Sequence, residues 1–157
     1  MTTIVVRGNL LESDCTIIAH QANCFSTMGA GIAKSLRAKY PEAYRADKEF
    51  PYTPSNRLGR CSRIWSTDRT KVLVNLYGQF RYGREKRHTD YDAVRSALNE
   101  MFEGLKTLRS NRPDFPIKIG LPWHMGCANA GGDWNTVRSI IDECAEVHGF
   151  TVYLYQL

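Results

Sequence analysis

The chain has 157 residues, of which 43% are hydrophobic, 24% charged and 11% aromatic. That length suits one domain spanning 1–157, and that balance excludes a disordered, collagen-like or coiled-coil chain. Lys and Arg total 21 against 16 Asp and Glu, a formal net charge of +5, which admits an anionic partner such as nucleic acid; no stretch approaches the ~20 apolar residues of a membrane span.

The chain alternates strands and helices. Ile4-Val5-Val6 reads as a short strand closed by Gly8-Asn9, and only three consecutive apolar residues precede Arg7, too few for a signal peptide, so a cytoplasmic location is expected. Thr16 to Ala19 reads as a buried strand. A helix is expected from about Gly29 to Tyr40, with Ile32, Leu36 and Tyr40 on one stripe, and Pro41 opens another through Glu49. Residues 51–59, with two prolines, form a loop. Strands follow near 60–66 and 71–78. Thr89-Asp90 opens a long helix whose stripe is Tyr91, Val94, Leu98, Met101, Leu105 and Leu108. Pro116 to Leu121 is a strand, Asp133 opens the last helix (Trp134, Val137, Ile140, Ile141, Cys144), and Phe150 to Gln156 is the closing strand. The order implies an α/β layered fold around a mixed sheet, with ligands bound beyond the carboxyl ends of the strands.

The five cysteines, Cys15, Cys24, Cys61, Cys127 and Cys144, form no CxxC pair. They read as buried free thiols rather than a zinc site or a disulfide framework. No His/Cys/acid cluster suggests a metal, so a reaction without metal or cofactor is expected. Residues 57–88 carry nine basic side chains against Asp68 and Glu85, a local charge of +7. Such a run is either a solvated face or a surface for an anion.

Two glycine-bearing loops precede helices: Ser26-Thr27-Met28-Gly29-Ala30-Gly31 and Gly126-Cys127-Ala128-Asn129-Ala130-Gly131-Gly132-Asp133. Free N–H groups at a helix start bind anions, and glycine lets the backbone come close to a phosphate. One such loop is often only a tight turn; two suggest a clamp on a diphosphate. Neither is a GxxxxGK nucleotide loop or a dinucleotide GxGxxG.

On these residues the chain resembles a known family. IIAHQANCFSTMGAGIAKSL and IGLPWHMGCANAGGDW resemble the two ligand loops of macrodomains, the ADP-ribose-binding fold, while NLYGQFRYGREKRHTDY and FTVYLYQL resemble the branch of ADP-ribose 1″-phosphate phosphatases. The resemblance covers nearly the whole chain. It implies a three-layer α/β fold, a central mixed sheet flanked by helices. It further implies that Asn9 and Leu10 lie at the adenosine, Asn9 standing where an acidic residue is common. Asn23 would meet the distal ribose. Gly29, Ala30, Gly31 and Ile32 would form one diphosphate loop; Gly126, Cys127, Ala128, Asn129, Ala130 and Gly131 would form the other. An aromatic of the last strand, Tyr153 or Tyr155, would stack near adenine.

Three titratable groups flank this expected site: His20 at the end of the second strand, Asp90 at the start of the long helix, and His124 just before the second loop. Each has a plain structural role open to it, a helix cap for Asp90 and a hydrogen-bonded core place for a histidine. His88 and His148 read as surface residues. Together the three match positions that carry functional histidine and aspartate in the phosphatase branch. The expected reaction is metal-free hydrolysis of ADP-ribose 1″-phosphate, one histidine attacking or activating water and another group protonating the leaving ribose oxygen. Two alternatives stand beside it. One is removal of ADP-ribose from protein or nucleic acid, for which a neighbouring branch uses a lysine and an aspartate where Gln79 and Ala130 stand here. The other is a non-catalytic ADP-ribose reader. A nucleic-acid-binding module built on 57–88 with Trp65, Tyr77, Phe80 and Tyr82 ranks last. Cys24 and Cys127 read as packing residues; Trp123 is a lid or a core plug.

Overall fold

The computed structural model describes residues 2–83, 87–128 and 130–157. Six strands form one mixed sheet: β1 (Thr3–Arg7), β2 (Ile17–Asn23), β3 (Cys61–Trp65), β4 (Val72–Gln79), β5 (Ile119–Pro122) and β6 (Val152–Gln156). Their spatial order is β1-β6-β5-β2-β4-β3. All neighbours run parallel except β3, which pairs antiparallel with β4 at the edge. Helices α1 (Gly31–Lys39), α2 (Pro41–Glu49), α3 (Pro54–Arg57), α4 (Tyr91–Asn111) and α5 (Trp134–His148) join them.

Burial on both faces explains the apolar central strands. On one face the stripes of α4 and α5 meet Ile17, Ala19, Val72, Val74, Ile119, Leu121, Val152 and Leu154. On the other, a 3-10 turn at Leu10–Glu12 and helices α1 and α2 bury Leu10, Leu11, Ile18, Met28, Leu36, Ala43 and Leu73. The result is helix, sheet and helix in three layers, as the alternation of elements implies.

Several local expectations shift. α1 begins at Gly31, two residues later than expected. The loop 51–59 contains the single turn α3, started by Pro54. The second strand does not stop at Ala19 but continues to Asn23, alongside β4. That extension alters His20. It lies in the middle of a strand, on the face of Ile18 beneath α2, instead of on a strand-end rim. His148 is corrected too: its ring stacks on Phe102 at 5.5 Å and its Nε2 meets Asn99 Oδ1 at 3.0 Å, so it is a packed residue. No helix is long and apolar enough to cross a membrane among the described residues.

Candidate functional site

β2, β4 and β5 end on the same edge of the sheet, and β2 lies between the other two. The chain leaves β2 for the α1 face and leaves β4 for the α4 face, so the loops part there and open a crevice. A cavity of about 570 Å³ occupies it, walled by the ends of β2 and β4 (Gln21–Asn23, Gln79), the first loop (Thr27–Ala33), Tyr82 and Gly83, and, around the second loop, Pro122 to Gly126, Ala128 and Ala130. That size suits a small-molecule ligand.

The first loop is shaped by backbone that L-residues seldom adopt: φ is 57° at Ser26, 39° at Met28 and 57° at Gly31. Strain of this kind persists only where surroundings hold it. Met28 is sunk into the core beside Leu36, while Ser26 Oγ accepts a 2.6 Å bond from Arg57 Nη1. Arg57 in turn donates to the carbonyls of Phe50 and Tyr52. The loop delivers the chain into α1, whose N-cap, Ala30, supplies no side-chain acceptor. The first-turn N–H groups and the positive helix end therefore face the cavity wall made by Gly29 to Ala33.

The second loop differs from expectation. Asp133 caps α5, its Oδ2 accepting from Thr136 N at 3.0 Å. A carboxylate already occupies that helix start, so α5 offers no anion site of the kind α1 does. The loop contributes instead as a tight turn: Cys127 N bonds His124 O and Gly132 N bonds Gly126 O. Gly126 has φ 77°, and a Cβ there would stand 2.5 Å from Gln21 Oε1, so only glycine fits. Gly126, Ala128 and Ala130 reach the cavity wall. Cys127 instead turns its thiol to Met125 O at 3.4 Å, and burial pushes that thiol up to about 11. Burial likewise pushes Cys24 up to about 12, so both thiols are poor nucleophiles. Asn129 lies outside the described residues, as do Arg84 and Lys86 of the basic run.

His124 is in the cavity wall, exposed, its ring clustered with Trp123 at 5.0 Å and Trp134 at 5.3 Å. Its φ of 63° is left-handed, a strained backbone for a non-glycine residue. Trp123 is thus both wall and support.

The other expected catalytic groups are not brought together with it. His20 is fully buried, with Nε2 2.6 Å from Asn75 Oδ1, its cross-strand neighbour. Burial lowers its pKa, against the pull of the Asn75 bond, which keeps the imidazole neutral. Asp90 caps α4, accepting from Ala93 N at 3.0 Å, and is absent from the cavity wall. At the expected adenosine end, Asn9 accepts from Leu11 N to cap the 3-10 turn, and Leu10 is a core residue. Tyr155 packs beside Gly8, and Tyr153 lies near the Lys118 ammonium. None of these four lines the cavity; Asn23, Gly29, Ala30, Gly31 and Ile32 do. Among the described residues no group of His, Cys, Asp or Glu is placed to hold a metal ion.

One wall residue, Asp47, has no counterpart in the sequence expectations. Its signal was faint: Ala43 and Asp47, four apart on α2, share the buried face. An acid on a core stripe is unusual enough to question.

No family model matches the chain. A DNA ADP-ribosyl glycohydrolase of Thermus aquaticus is 29% identical over 155 residues, which are 96% of this chain and 40% of that protein. An ADP-ribose 1″-phosphate phosphatase of Saccharomyces cerevisiae is 24% identical over 94% of this chain and 96% of its own. The chain thus spans well under half of the first relative and nearly all of the second. Among solved structures, the macrodomain of Thermus aquaticus DarG superposes with a TM-score of 0.76 at 22% identity, over 99% of this chain and 98% of its own. Thermosipho africanus DarTG in complex with ADP-ribose gives 0.76 at 16% identity, over 98% of this chain and 41% of that one.

Proposed function

This chain has the macrodomain fold, and from that premise we propose that it binds ADP-ribose in the cavity at the ends of β2, β4 and β5 and hydrolyses ADP-ribose 1″-phosphate to ADP-ribose and phosphate. The observation that carries the reading is the cavity itself: an uncapped helix start on one wall and an exposed histidine on the other. The pyrophosphate takes the α1 amides. Asn23, Gly29, Ala30, Gly31 and Ile32 bind from one side, and Gly126, Ala128 and Ala130 of the second loop bind from the other. The phosphatase relative matches this chain end to end, which supports the finer activity.

In the reaction water adds to the terminal phosphorus, the bond from phosphorus to the ribosyl oxygen breaks, and that oxygen takes a proton. His124 is the one expected catalytic group on the wall, so it handles the proton, either taking it from water or giving it to the leaving oxygen. Asp90 acts as a cap. His20 stays beneath the site as a buried donor. Arg81, next in the chain to the wall residues Tyr82 and Gly83 and over Phe25 and Phe80, supplies positive charge toward the terminal phosphate.

A second reading has its own support. The Thermus aquaticus relative is named for removing ADP-ribose from DNA. Phe25 and Tyr82 are exposed beside Arg81, a surface on which bases can stack. Against it, Gln79 stands where the neighbouring branch has its lysine, with its amide engaged by Gln21 Nε2 and Arg81 O.

Parallel assays separate the readings: phosphate release from ADP-ribose 1″-phosphate, and ADP-ribose release from ADP-ribosylated single-stranded DNA. We expect the wild type to release phosphate, and His124→Ala to lose about a hundredfold or more of that rate. Equal phosphate release by the variant removes the mechanism. Turnover of the DNA substrate alone favours the second reading, and binding without any turnover leaves a reader.

A further inference from the structure

Asp47 is 1% exposed and forms part of the cavity wall. Its Oδ1 is crowded with donors: Tyr77 Oη at 2.7 Å, Ser26 Oγ at 3.3 Å and Arg57 Nη1 at 3.5 Å. Its Oδ2 is buried and has no hydrogen-bond partner among the described residues. A buried carboxylate oxygen left without a donor costs free energy that a rigid fold must recover elsewhere.

One donor on Oδ1, Tyr77, ends a chain of bonds with one possible direction. Asn75 Nδ2 donates to Ala43 O and to Ser62 Oγ, which leaves Asn75 Oδ1 as the acceptor for His20 Nε2–H. Ser62 Oγ lies 2.9 Å from Tyr77 Oη, and the tyrosine spends its single proton on Asp47. Ser62 therefore donates to Tyr77. Apart from the Asn75 bond to Ala43 O, each link from His20 through Asn75, Ser62 and Tyr77 donates toward Asp47, an arrangement that suits a carboxylate at its end. The carboxylate is thus fixed in place, with one oxygen spoken for and the other buried without a partner among the described residues.

We propose that Asp47 is a specificity residue of the binding site, its free Oδ2 accepting a hydrogen bond from a hydroxyl of the sugar beyond the pyrophosphate. An anion beside this carboxylate would be repelled, so the partner is a neutral O–H donor and not a phosphate oxygen. The position agrees: Asp47 hangs over β4 and clasps the first loop at Ser26, next to Asn23 and Thr27 of the wall. This inference rests on the ADP-ribose reading and adds to it the group that discriminates a ligand with a second sugar from one without.

The test uses ADP-ribose and ADP, which differ by that sugar. Wild type and Asp47→Asn are titrated with both by calorimetry, with thermal melts of each protein. Asn keeps the size of the side chain and an acceptor for Tyr77. The expected result is that ADP affinity stays within about twofold while ADP-ribose affinity falls roughly tenfold, the loss of a charge-assisted bond. Equal losses for the two ligands, or none for either, overturn the proposal. Should Asp47→Asn not fold, carbon-13 NMR of the wild-type side-chain carboxyl decides: a shift with ADP-ribose and not with ADP supports it, and the same response to both overturns it. A wild type that binds neither ligand ends the ADP-ribose reading, and this inference with it; that outcome is distinct from a wild type that binds while the variant keeps its preference.

Discussion

At position 20 a histidine is held neutral by burial, and that has a measurable consequence. Unfolded, its imidazole titrates near the ordinary 6.5; folded, its pKa is lower because no water reaches the ring. Below 6.5 the unfolded chain therefore binds a proton that the folded chain refuses, and stability drops as pH falls until the folded ring also protonates. His20→Gln, which keeps a donor toward Asn75, should flatten this part of the stability curve. The difference in slope approaches about 1.4 kcal/mol per pH unit at most, and comparing urea melts of the two proteins cancels other groups. Parallel curves would mean that His20 is solvated. The residue type alone marked position 20 as chemical; whether it meets ligand or core depended on which way an unbroken strand turned it. Asp47 is the converse, an acid on α2 that no sequence expectation singled out and that proves to be 1% exposed on the cavity wall.

Among the elements, helix starts divide by what closes them. α4 and α5 begin on Asp90 and Asp133, each accepting a backbone N–H three residues on, whereas α1 begins on Ala30 with no such acceptor. The capped pair was legible, because Asp followed by an apolar stripe is a local signal. The contrast with α1 was not, because two glycine-bearing loops look alike until their geometry is seen. Asp90→Ala should cost about 1 kcal/mol, the worth of a cap, and lower Tm by roughly 2–4 °C. Phosphate release below that melting point should persist. A variant with unchanged Tm and abolished release would instead place Asp90 in the reaction.

For the molecule as a whole, the cavity exists because β2 sends its connection to one face of the sheet and β4 to the other. Ligand there touches both helical layers through their loops. Saturating ADP-ribose, at about a hundred times its Kd, should stabilise the fold by about 2.7 kcal/mol. Hydrogen exchange should slow at 26–33 and at 122–128 together, since each loop forms one wall. Protection of one loop alone would mean that the two do not act as a clamp.

Local chemistry was enough to determine the layered α/β class, the stripes of α4 and α5, the caps and the two glycine-bearing loops, since each depends on residues a few places apart. Only the tertiary structure decided that His124 alone of the three expected groups faces the cavity, that Asn9 and Leu10 serve the 3-10 turn, and that Asp47 joins the wall. Those outcomes depend on where a strand ends and on which residues far apart in sequence share one buried layer. Burial and hydrogen-bond partners of that kind arise from packing, and no short stretch of sequence contains them.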